Sequence, residues 1–335
     1  MRVLICRLSA FGDIVHAWPV AASLAAAGHE VGWVVEAPLA PLVRTHPAVG
    51  TVIEVATSRW RRRPFDPDTR ADFGASVSAL RRFRAEVAID LQGLLKSAVA
   101  ARLSGAPVRV GPGREARRER LAGLAYTRRF GPPDGVVHVV DINLSSLACL
   151  GIEPPYGTKP DGGFLLAEGG DTPRLDLPTA PFVAVFPGAG APDKAWPADR
   201  LVALARGIAS LGIAPLLVRG PGDLHAARSL AAAGPFALAP PTDIPALTRL
   251  LGRAHAAVGA DTGPVHLAAA LGVPTVAIHT VTDPQRNGPR GARVGIVSGA
   301  RPGAARGRAR TGPARDVRPD EVLDTLRSLL GGPPR

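Results

Sequence analysis

The chain has 335 residues, of which 46% are hydrophobic and 20% are charged. That length exceeds one ordinary hydrophobic core and suits two domains of about 150 residues each. No apolar run reaches the roughly 18 residues that a membrane span requires, and the N-terminal residues lack the zones of a signal peptide. The composition therefore predicts a soluble, cytoplasmic protein with two domains and no transmembrane segment.

The net charge of +12 comes almost entirely from arginine, because lysine occurs only at positions 96, 159 and 194. Alanine, glycine and proline are also abundant, as in GC-rich coding sequences, so the charge alone is weak support for an anionic partner. Aromatic residues make up only 4% of the chain, which argues against the stacking platforms of a nucleic-acid binder. Cys6 and Cys149 lie in apolar runs, and we interpret both as buried thiols.

Short β-branched runs alternate with Ala/Leu-rich amphipathic runs in the first half of the chain. This order is typical of a mostly parallel sheet with helices on both faces, an α/β fold. The predicted strands are Val3–Cys6, Glu30–Glu36, Thr51–Val55, Val87–Asp90 and Val108–Val110, and the predicted helices are Ile14–Ala27 and Leu94–Leu103.

The stretch from Gly151 to Ala180 loses this periodicity, and the pattern then restarts. We predict an N-terminal domain over 1–160, a linker over 161–180, a C-terminal domain over 181–318, and a terminal helix and tail over 319–335 that pack on either domain. The later strands are predicted at Phe182–Phe186, Ala214–Arg219, Ala256–Gly259 and Thr275–His279, and the later helices at Pro197–Leu211, Leu224–Ala233, Asp243–Arg253, Gly263–Leu271 and Pro319–Leu330.

Ligands of doubly wound sheets bind where loops leave the carboxyl ends of the strands. The first such loop, Arg7–His16, contains Gly12 for a tight turn and Asp13 at a helix start. It is not a dinucleotide-binding G-x-G-x-x-G. Asp13 has two readings, an ordinary N-terminal helix cap or a carboxylate that takes a proton from a substrate hydroxyl. His16 is the next candidate for that base.

The second loop, Asp90–Ser97, also joins a strand to a helix. Gly93 allows close backbone approach, and Gln92 and Lys96 are candidates for ligand contact. A solvated helix start is the alternative, although the scarcity of lysine favours a role for Lys96.

The third loop, Phe186–Pro197, is rich in glycine and contains Lys194. The small residues Gly188 and Ala189 would let backbone N–H groups approach phosphate oxygens, and Lys194 would add a positive charge. The segment is not a P-loop, because G-x-x-x-x-G-K-[ST] is absent.

The fourth loop, Val258–Leu267, is a strong helix start, with Thr262 or Gly263 as cap and a proline in the first turn. The same geometry forms an anion site for a diphosphate. Asp261 and His266 would flank that site. Both side chains also have ordinary structural interpretations.

Taken in order, these loops resemble glycosyltransferase family 9, the ADP-heptose transferases of lipopolysaccharide core assembly. The segments that carry the resemblance are F-G-D-I-V-H at 11–16, I-D-L-Q-G-L-L-K-S at 89–97, P-G-A-G and D-K-A-W-P within 187–197, D-T-G-P-V-H-L-A-A-A-L at 261–271, and T-D-P at 282–284. The resemblance runs from residue 2 to about 330, and the second segment favours the type I enzymes over type II.

The resemblance implies a GT-B fold, with two doubly wound Rossmann-like domains facing a cleft, and an inverting, metal-independent transfer without a cofactor. It implies Asp13 as general base and Asp261 as the ligand of the heptose hydroxyls. The implied ligands of the ADP moiety are Gly188, Ala189, Lys194, Thr262, Gly263 and His266, with Asp223 near the ribose. Ala189 and Gly190 stand where family members carry hydroxyl residues at the phosphates.

The family's acceptor is an anionic glycolipid at the inner membrane surface, Kdo-lipid A, which leaves a peripheral membrane position open. The implied acceptor ligands are Gly12, Arg61, Arg62, Arg63, Gln92, Lys96 and Arg120, because arginine forks match phosphates and carboxylates. A solvated arginine-rich surface is the alternative. Asp66-Pro67-Asp68 has the D-x-D pattern of metal-dependent glycosyltransferases, but we interpret it as an acidic turn.

Two other functions are open at this stage. One is a family 9 transferase with a different donor or acceptor, such as a second heptose, rhamnose or a natural product. The other is a sugar-nucleotide-binding protein without turnover, which the presence of Asp13 disfavours because binding needs no base.

Overall fold

The structure is a computed structural model that describes residues 1–167, 176–188, 192–220, 224–301, 303 and 311–331. The chain divides into two compact units, Met1–Thr158 and Lys159–Arg335. Each unit is an α/β fold built on a parallel sheet.

The sheet of the first unit has six strands in the order β3-β2-β1-β4-β5-β6, all parallel. The central strand β1 is buried from Val3 to Cys6, as expected for a parallel sheet with both faces covered. The strands are β1 (Arg2–Cys6), β2 (Glu30–Glu36), β3 (Thr51–Val55), β4 (Val87–Asp90), β5 (Val108–Pro112) and β6 (Arg128–Phe130).

Six α-helices accompany this sheet, along with short 3₁₀ turns. They are α1 (Phe11–Val15), α2 (Trp18–Ala26), α3 (Thr57–Arg62), α4 (Pro67–Arg82), α5 (Leu95–Leu103) and α6 (Val139–Leu144).

The described residues of the second unit form a six-stranded parallel sheet in the order β12-β11-β10-β7-β8-β9. Read from β9, this is the strand order of the first sheet. The strands are β7 (Phe182–Phe186), β8 (Ala214–Leu217), β9 (Ala237–Leu238), β10 (Ala256–Ala260), β11 (Thr275–His279) and β12 (Val294–Ser298).

The C-terminal helix belongs to the core of the second unit. Its Val322 and Leu326 are fully buried in the hydrophobic cluster that also contains Val183 and Leu204. The helices of this unit are α7 (Ala198–Ser210), α8 (Leu224–Ala233), α9 (Ile244–Arg253), α10 (Gly263–Ala270), α11 (Pro284–Asn287) and α12 (Pro319–Leu330).

Several local predictions were wrong. The predicted helix Ile14–Ala27 is two helices, α1 and α2, and Pro19 lies in the first turn of α2, where the missing N–H is tolerated. The long helix α4 and the short strands β6 and β12 were missed. Cys6 is buried, but Cys149 is only half-buried. Within the described part of the chain, no helix is both long and apolar enough to span a membrane.

Candidate functional site

The four loops singled out from the sequence follow the two central strands of each sheet. In the first sheet β1 lies between β2 and β4, and in the second sheet β7 lies between β8 and β10. The strand order reverses between β1 and β4 and again between β7 and β10. Such switch points are where ligands bind in doubly wound folds. The topology thus places all four loops at the switch points of the two sheets, where ligands of this fold class bind.

Asp13 is the third residue of α1, and the helix cap is Ala10. The interpretation of Asp13 as an N-terminal cap was therefore wrong in position. Its Oδ2 accepts a hydrogen bond of 3.2 Å from the Ala10 backbone N–H, and its Oδ1 lies 2.8 Å from Nη2 of Arg7. The side chain is 21% exposed, so the carboxylate can still meet a ligand. Gly12, its neighbour, is half-buried.

Arg7 is a buried cation that sequence reasoning missed. It is 3% exposed, and its Nη1 donates to the Leu91 carbonyl oxygen. Burial lowers the pKa of Arg7, and the Asp13 carboxylate opposes that shift. The guanidinium therefore ties the first loop to the second and supplies the counter-charge of Asp13. An arginine directly after a buried strand was the available signal.

Lys96 and Gln92 come together on Ser9. Lys96 Nζ donates to Ser9 Oγ at 2.9 Å, and Gln92 Nε2 donates to the same oxygen at 3.1 Å. Lys96 also lies 3.3 Å from Oε1 of Glu36, a carboxylate that accepts from the Thr57 hydroxyl and backbone N–H. Lys96 is 33% exposed, so the sequence-predicted lysine is available to an anion.

A fully buried carboxylate, Asp90, shapes the second loop. It accepts hydrogen bonds from the Gln92 and Gly93 backbone N–H groups at 2.7 and 3.1 Å. It also accepts from Ser97 Oγ at 2.9 Å and from the Tyr126 hydroxyl at 2.7 Å. Burial raises the pKa of Asp90, and the hydrogen bonds from these uncharged partners oppose that shift only in part. Gly93 has φ +68, and an added Cβ would lie 2.8 Å from Pro112.

The arginines predicted to bind the acceptor do not form one group. Arg61 lines a cavity of about 570 Å³ together with Lys96 and a largely apolar wall. Arg62 and Arg63 line a different cavity of about 390 Å³. Arg120 is exposed at the start of a 3₁₀ turn. The structure therefore brings Arg61 near Lys96 and places Arg62 and Arg63 elsewhere.

The D-x-D pattern, interpreted from the sequence as an acidic turn, is the start of helix α4. Asp66 is the N-terminal cap of α4, and its carboxylate accepts from the Thr69 N–H at 3.0 Å. That hydrogen bond is the main cause of the lowered pKa of Asp66.

In the second unit Asp261 is the centre of an ion cluster that joins the third and fourth loops. Its Oδ2 lies 2.6 Å from Nζ of Lys194 and accepts from the Thr282 hydroxyl at 2.9 Å. Its Oδ1 lies 3.1 Å from Nε2 of His266. Asp261 is 7% exposed and His266 is 5% exposed, so this network is largely shielded from water.

The electrostatics of Asp261 are the reverse of those of Asp90. Burial alone would raise the pKa of Asp261, but the hydrogen bond from His266 and the neighbouring positive charges, including Lys194, hold that pKa well below its usual value. Asp261 is therefore ionised at neutral pH. Among the described residues, no group of three or more His, Cys, Asp or Glu side chains is arranged to hold a metal ion.

The fourth loop opens helix α10 with Thr262 as the cap residue and Gly263 as the first helical residue. The Thr262 side chain makes no capping bond, and its Oγ1 is buried without a hydrogen-bond partner among the described residues. A buried hydroxyl without a partner is unfavourable, and here it lies at a helix N-terminus, which favours anions. Gly188 lies two residues after the end of β7. Ala189 and Asp223 lie outside the described residues.

Two further residues in this unit escaped the sequence analysis. Thr282 was part of a matched segment but was given no role, and His279, the last residue of β11, was read only as part of a strand. Both are buried, and Nδ1 of His279 lies 3.0 Å from the Thr282 hydroxyl oxygen. The position of His279 at the carboxyl end of the strand next to β10 was the available signal.

Comparisons with known proteins agree with this geometry. The model of glycosyltransferase family 9 (heptosyltransferase) matches residues 74–313. The lipopolysaccharide heptosyltransferase 1 of Pseudomonas aeruginosa PAO1 is 32% identical over 295 residues, 87% of this chain and 82% of that protein. The protein of the same name from Escherichia coli K12 is 34% identical over 291 residues, 85% of this chain and 89% of that protein.

Solved structures give the same assignment. The E. coli heptosyltransferase WaaC with ADP has a TM-score of 0.81 at 28% identity, covering 98% of this chain and 100% of that chain. WaaC with ADP-2-deoxy-2-fluoro heptose has a TM-score of 0.75 at 30% identity, covering 98% and 99%. The chain therefore belongs to glycosyltransferase family 9, the heptosyltransferases, and has their GT-B fold.

Proposed function

We propose that this glycosyltransferase moves a heptose from ADP-heptose to the Kdo region of an anionic lipid A acceptor, the inner core of lipopolysaccharide. The observation that carries the proposal is the Asp261 cluster at the N-terminus of α10, which presents a cation and helix N–H groups beside an ionised carboxylate. The relatives of this chain from P. aeruginosa and E. coli are named lipopolysaccharide heptosyltransferase 1. A close structural neighbour was solved with an ADP-heptose analogue.

The donor would bind to the second unit, which we propose as the donor domain, beginning near residue 181. A diphosphate would be held by Lys194, His266, Thr262 Oγ1 and the backbone of Gly263, because a helix N-terminus and a lysine both favour anions. The ionised Asp261 carboxylate accepts hydrogen bonds from hydroxyl groups and repels phosphate, so we assign it to the heptose hydroxyls. Gly188, Ala189 and Asp223 complete the proposed donor set.

The acceptor would bind to the first unit, which we propose as the acceptor domain. Lys96 and Arg61 lie around one cavity with an apolar wall, and Gln92 shares Ser9 with Lys96. Cations beside an apolar surface suit an anionic sugar attached to a lipid. A protein that uses such an acceptor would work in the cytoplasm at the inner membrane surface.

Asp13 would act as the general base. It takes the proton of the acceptor hydroxyl as that oxygen attacks the anomeric carbon of the heptose and the bond to the diphosphate breaks. The electron pair leaves with ADP, and a single displacement inverts the anomeric configuration. Arg7 holds Oδ1 of Asp13 at 2.8 Å, and the substrate proton would go to Oδ2, which also accepts a hydrogen bond of 3.2 Å from the Ala10 backbone N–H. No metal ion is required in this scheme.

The test is release of ADP from purified protein in the presence of EDTA, with ADP-heptose and a panel of acceptors. We expect release with Kdo-lipid A, little release with an acceptor that already carries the first heptose, and none without an acceptor. Release only with the heptosylated acceptor would identify a second-heptose transferase. Dependence on added magnesium or manganese would contradict the metal-free scheme.

A further inference from the structure

The hydrogen-bond pattern behind Asp261 fixes the tautomer of a buried histidine. Nδ1 of His279 lies 3.2 Å from the carbonyl oxygen of Thr282 and 3.0 Å from its hydroxyl oxygen. A carbonyl oxygen only accepts hydrogen bonds, so Nδ1 must carry the proton. Nε2 then has a bare lone pair, and it is buried without a partner among the described residues.

This tautomer determines the direction of the next hydrogen bond. The Thr282 hydroxyl oxygen accepts from His279 Nδ1–H, which leaves the hydroxyl proton for Oδ2 of Asp261 at 2.9 Å. His279 is 0% exposed and Thr282 is 1% exposed, so water does not compete for either group. Burial lowers the pKa of His279 to about 4, and the imidazole therefore stays neutral at neutral pH.

The hydrogen bonds from His279 to Thr282 and from Thr282 to Asp261 form a relay. This relay gives the two carboxylate oxygens of Asp261 different hydrogen-bond partners. Oδ2 accepts from both Lys194 and Thr282, whereas Oδ1 contacts only His266 among the described residues. A carboxylate oxygen accepts about two hydrogen bonds, so Oδ1 has the remaining capacity. Rotation of the carboxylate would break the bonds of Oδ2.

We propose that Thr282 and His279 are positioning residues that lock the Asp261 carboxylate so that Oδ1 is presented to the donor sugar. The relay acts through Asp261 and touches no substrate itself. It rests on the proposed function, since it deepens the role of Asp261 toward the heptose hydroxyls. Its consequence is selectivity: the relay should favour ADP-heptose over ADP, because only the former carries a heptose whose hydroxyls can donate to Oδ1.

Thr282→Val removes the hydroxyl at nearly constant volume. We expect ADP-heptose to bind roughly tenfold more weakly or worse, the loss typical of a hydrogen bond to a charged group, while the Kd of ADP changes less than about twofold. Thr282→Ser should restore the preference. The matched control is Thr275→Val. Thr275, the first residue of β11, is also fully buried, and its hydroxyl donates to the Val273 backbone carbonyl. That variant should lose stability and keep its preference for ADP-heptose.

The histidine offers a second matched pair. The amide nitrogen of asparagine mimics Nδ1, and that of glutamine mimics Nε2, so His279→Asn should retain the preference for ADP-heptose and His279→Gln should lose it. Equal losses in both variants, or an unchanged preference in Thr282→Val, would overturn the relay. Calorimetry with ADP and ADP-heptose measures both ratios, and melting temperatures exclude unfolded variants.

A ligand-free measurement separates this proposal from the proposed function. In imidazole ¹⁵N NMR spectra we expect His279 to be protonated on Nδ1, and we expect Thr282→Val, but not Thr275→Val, to shift the His266 signals. Wild-type protein that shows this pattern without preferring ADP-heptose over ADP would contradict the proposed donor and leave the relay standing. A proton on Nε2 of His279, or His266 signals that ignore Thr282→Val, would overturn the relay.

Discussion

Asp90 and Asp261 occupy equivalent places in the two units and differ in their surroundings. Asp90 is the last residue of β4, and Asp261 directly follows β10. In each sheet this strand neighbours the first strand of the unit at the point where the strand order reverses. Among the described residues, Asp90 accepts hydrogen bonds only from hydroxyl and backbone N–H groups, whereas Asp261 contacts a lysine and a histidine. The uncharged donors around Asp90 hold the second loop in place. The cations around Asp261 form a charged site that can also contact a ligand.

Asp13 extends this comparison, because it too is paired with a cation, Arg7. If Asp13 is the base, Asp13→Asn should lower kcat by roughly two to four powers of ten, the largest effect we predict. The variant also leaves Arg7 buried without the Asp13 counter-charge, and we expect it to lose about 1–3 kcal/mol of unfolding free energy. Normal turnover in a folded variant would move the base elsewhere.

His16 is then the residue that remains to be tested. It is 3% exposed and lies edge-on to His138 with ring centroids 5.9 Å apart, so burial counts against direct contact with an acceptor hydroxyl. His16→Gln should therefore keep most of the wild-type kcat.

Asp261→Asn should reduce kcat/KM for ADP-heptose roughly a hundredfold, because Lys194 and His266 both lose a charged partner. ADP itself should bind about as well as before, since removing a negative charge favours the diphosphate. Steady-state kinetics and calorimetry with ADP measure the two effects. A proportional loss of ADP affinity would mean that Asp261 serves the diphosphate and not the sugar.

Tyr126→Phe tests the uncharged side of the comparison. The variant removes one of four donors from buried Asp90 and should cost about 1–3 kcal/mol of unfolding free energy, with donor KM unchanged. Tyr156→Phe is the control, because the Tyr156 hydroxyl lies 3.3 Å from Ser145 and the residue is 40% exposed. If the two substitutions lower the free energy of unfolding equally in urea, the Tyr126–Asp90 hydrogen bond does not contribute specifically to stability.

The smallest predicted effect is at the arginine run. Arg61→Ala should raise the acceptor KM about three- to tenfold, a loss of one charged contact in a solvated site. The Arg62→Ala/Arg63→Ala pair should raise it less, because those residues line a separate cavity. Donor KM should stay unchanged in both. If the double substitution raised the acceptor KM more than Arg61→Ala, all three arginines would belong to one acceptor site.

The sequence predicted the sheets and the four loops because buried parallel strands are continuous apolar runs and helix starts have strong local signals. Thr51–Val55 and Phe182–Phe186 were predicted to the residue. The charge partners were not predictable, because Arg7 and Asp13 or Lys194 and Asp261 meet only through the fold. His279 and Thr282 were missed for the same reason. Short edge strands such as β9, with two residues, carry almost no pattern.

The pH dependence of stability tests the comparison most directly. The lowered pKa of Asp261 means that its ionised form stabilises the fold above the unfolded value of about 4, and that this contribution is lost as the pH falls through the folded pKa. The raised pKa of Asp90 has the opposite sign, since its contribution is fully present below about pH 4 and declines as the pH rises toward the folded pKa.

The measurement is urea unfolding of wild type, Asp90→Asn and Asp261→Asn between about pH 3 and 7, the range that spans an unperturbed aspartate. The account predicts that the stability gap between wild type and Asp261→Asn widens as the pH rises, and that the gap for Asp90→Asn narrows. Slopes of the same sign for the two variants would contradict it.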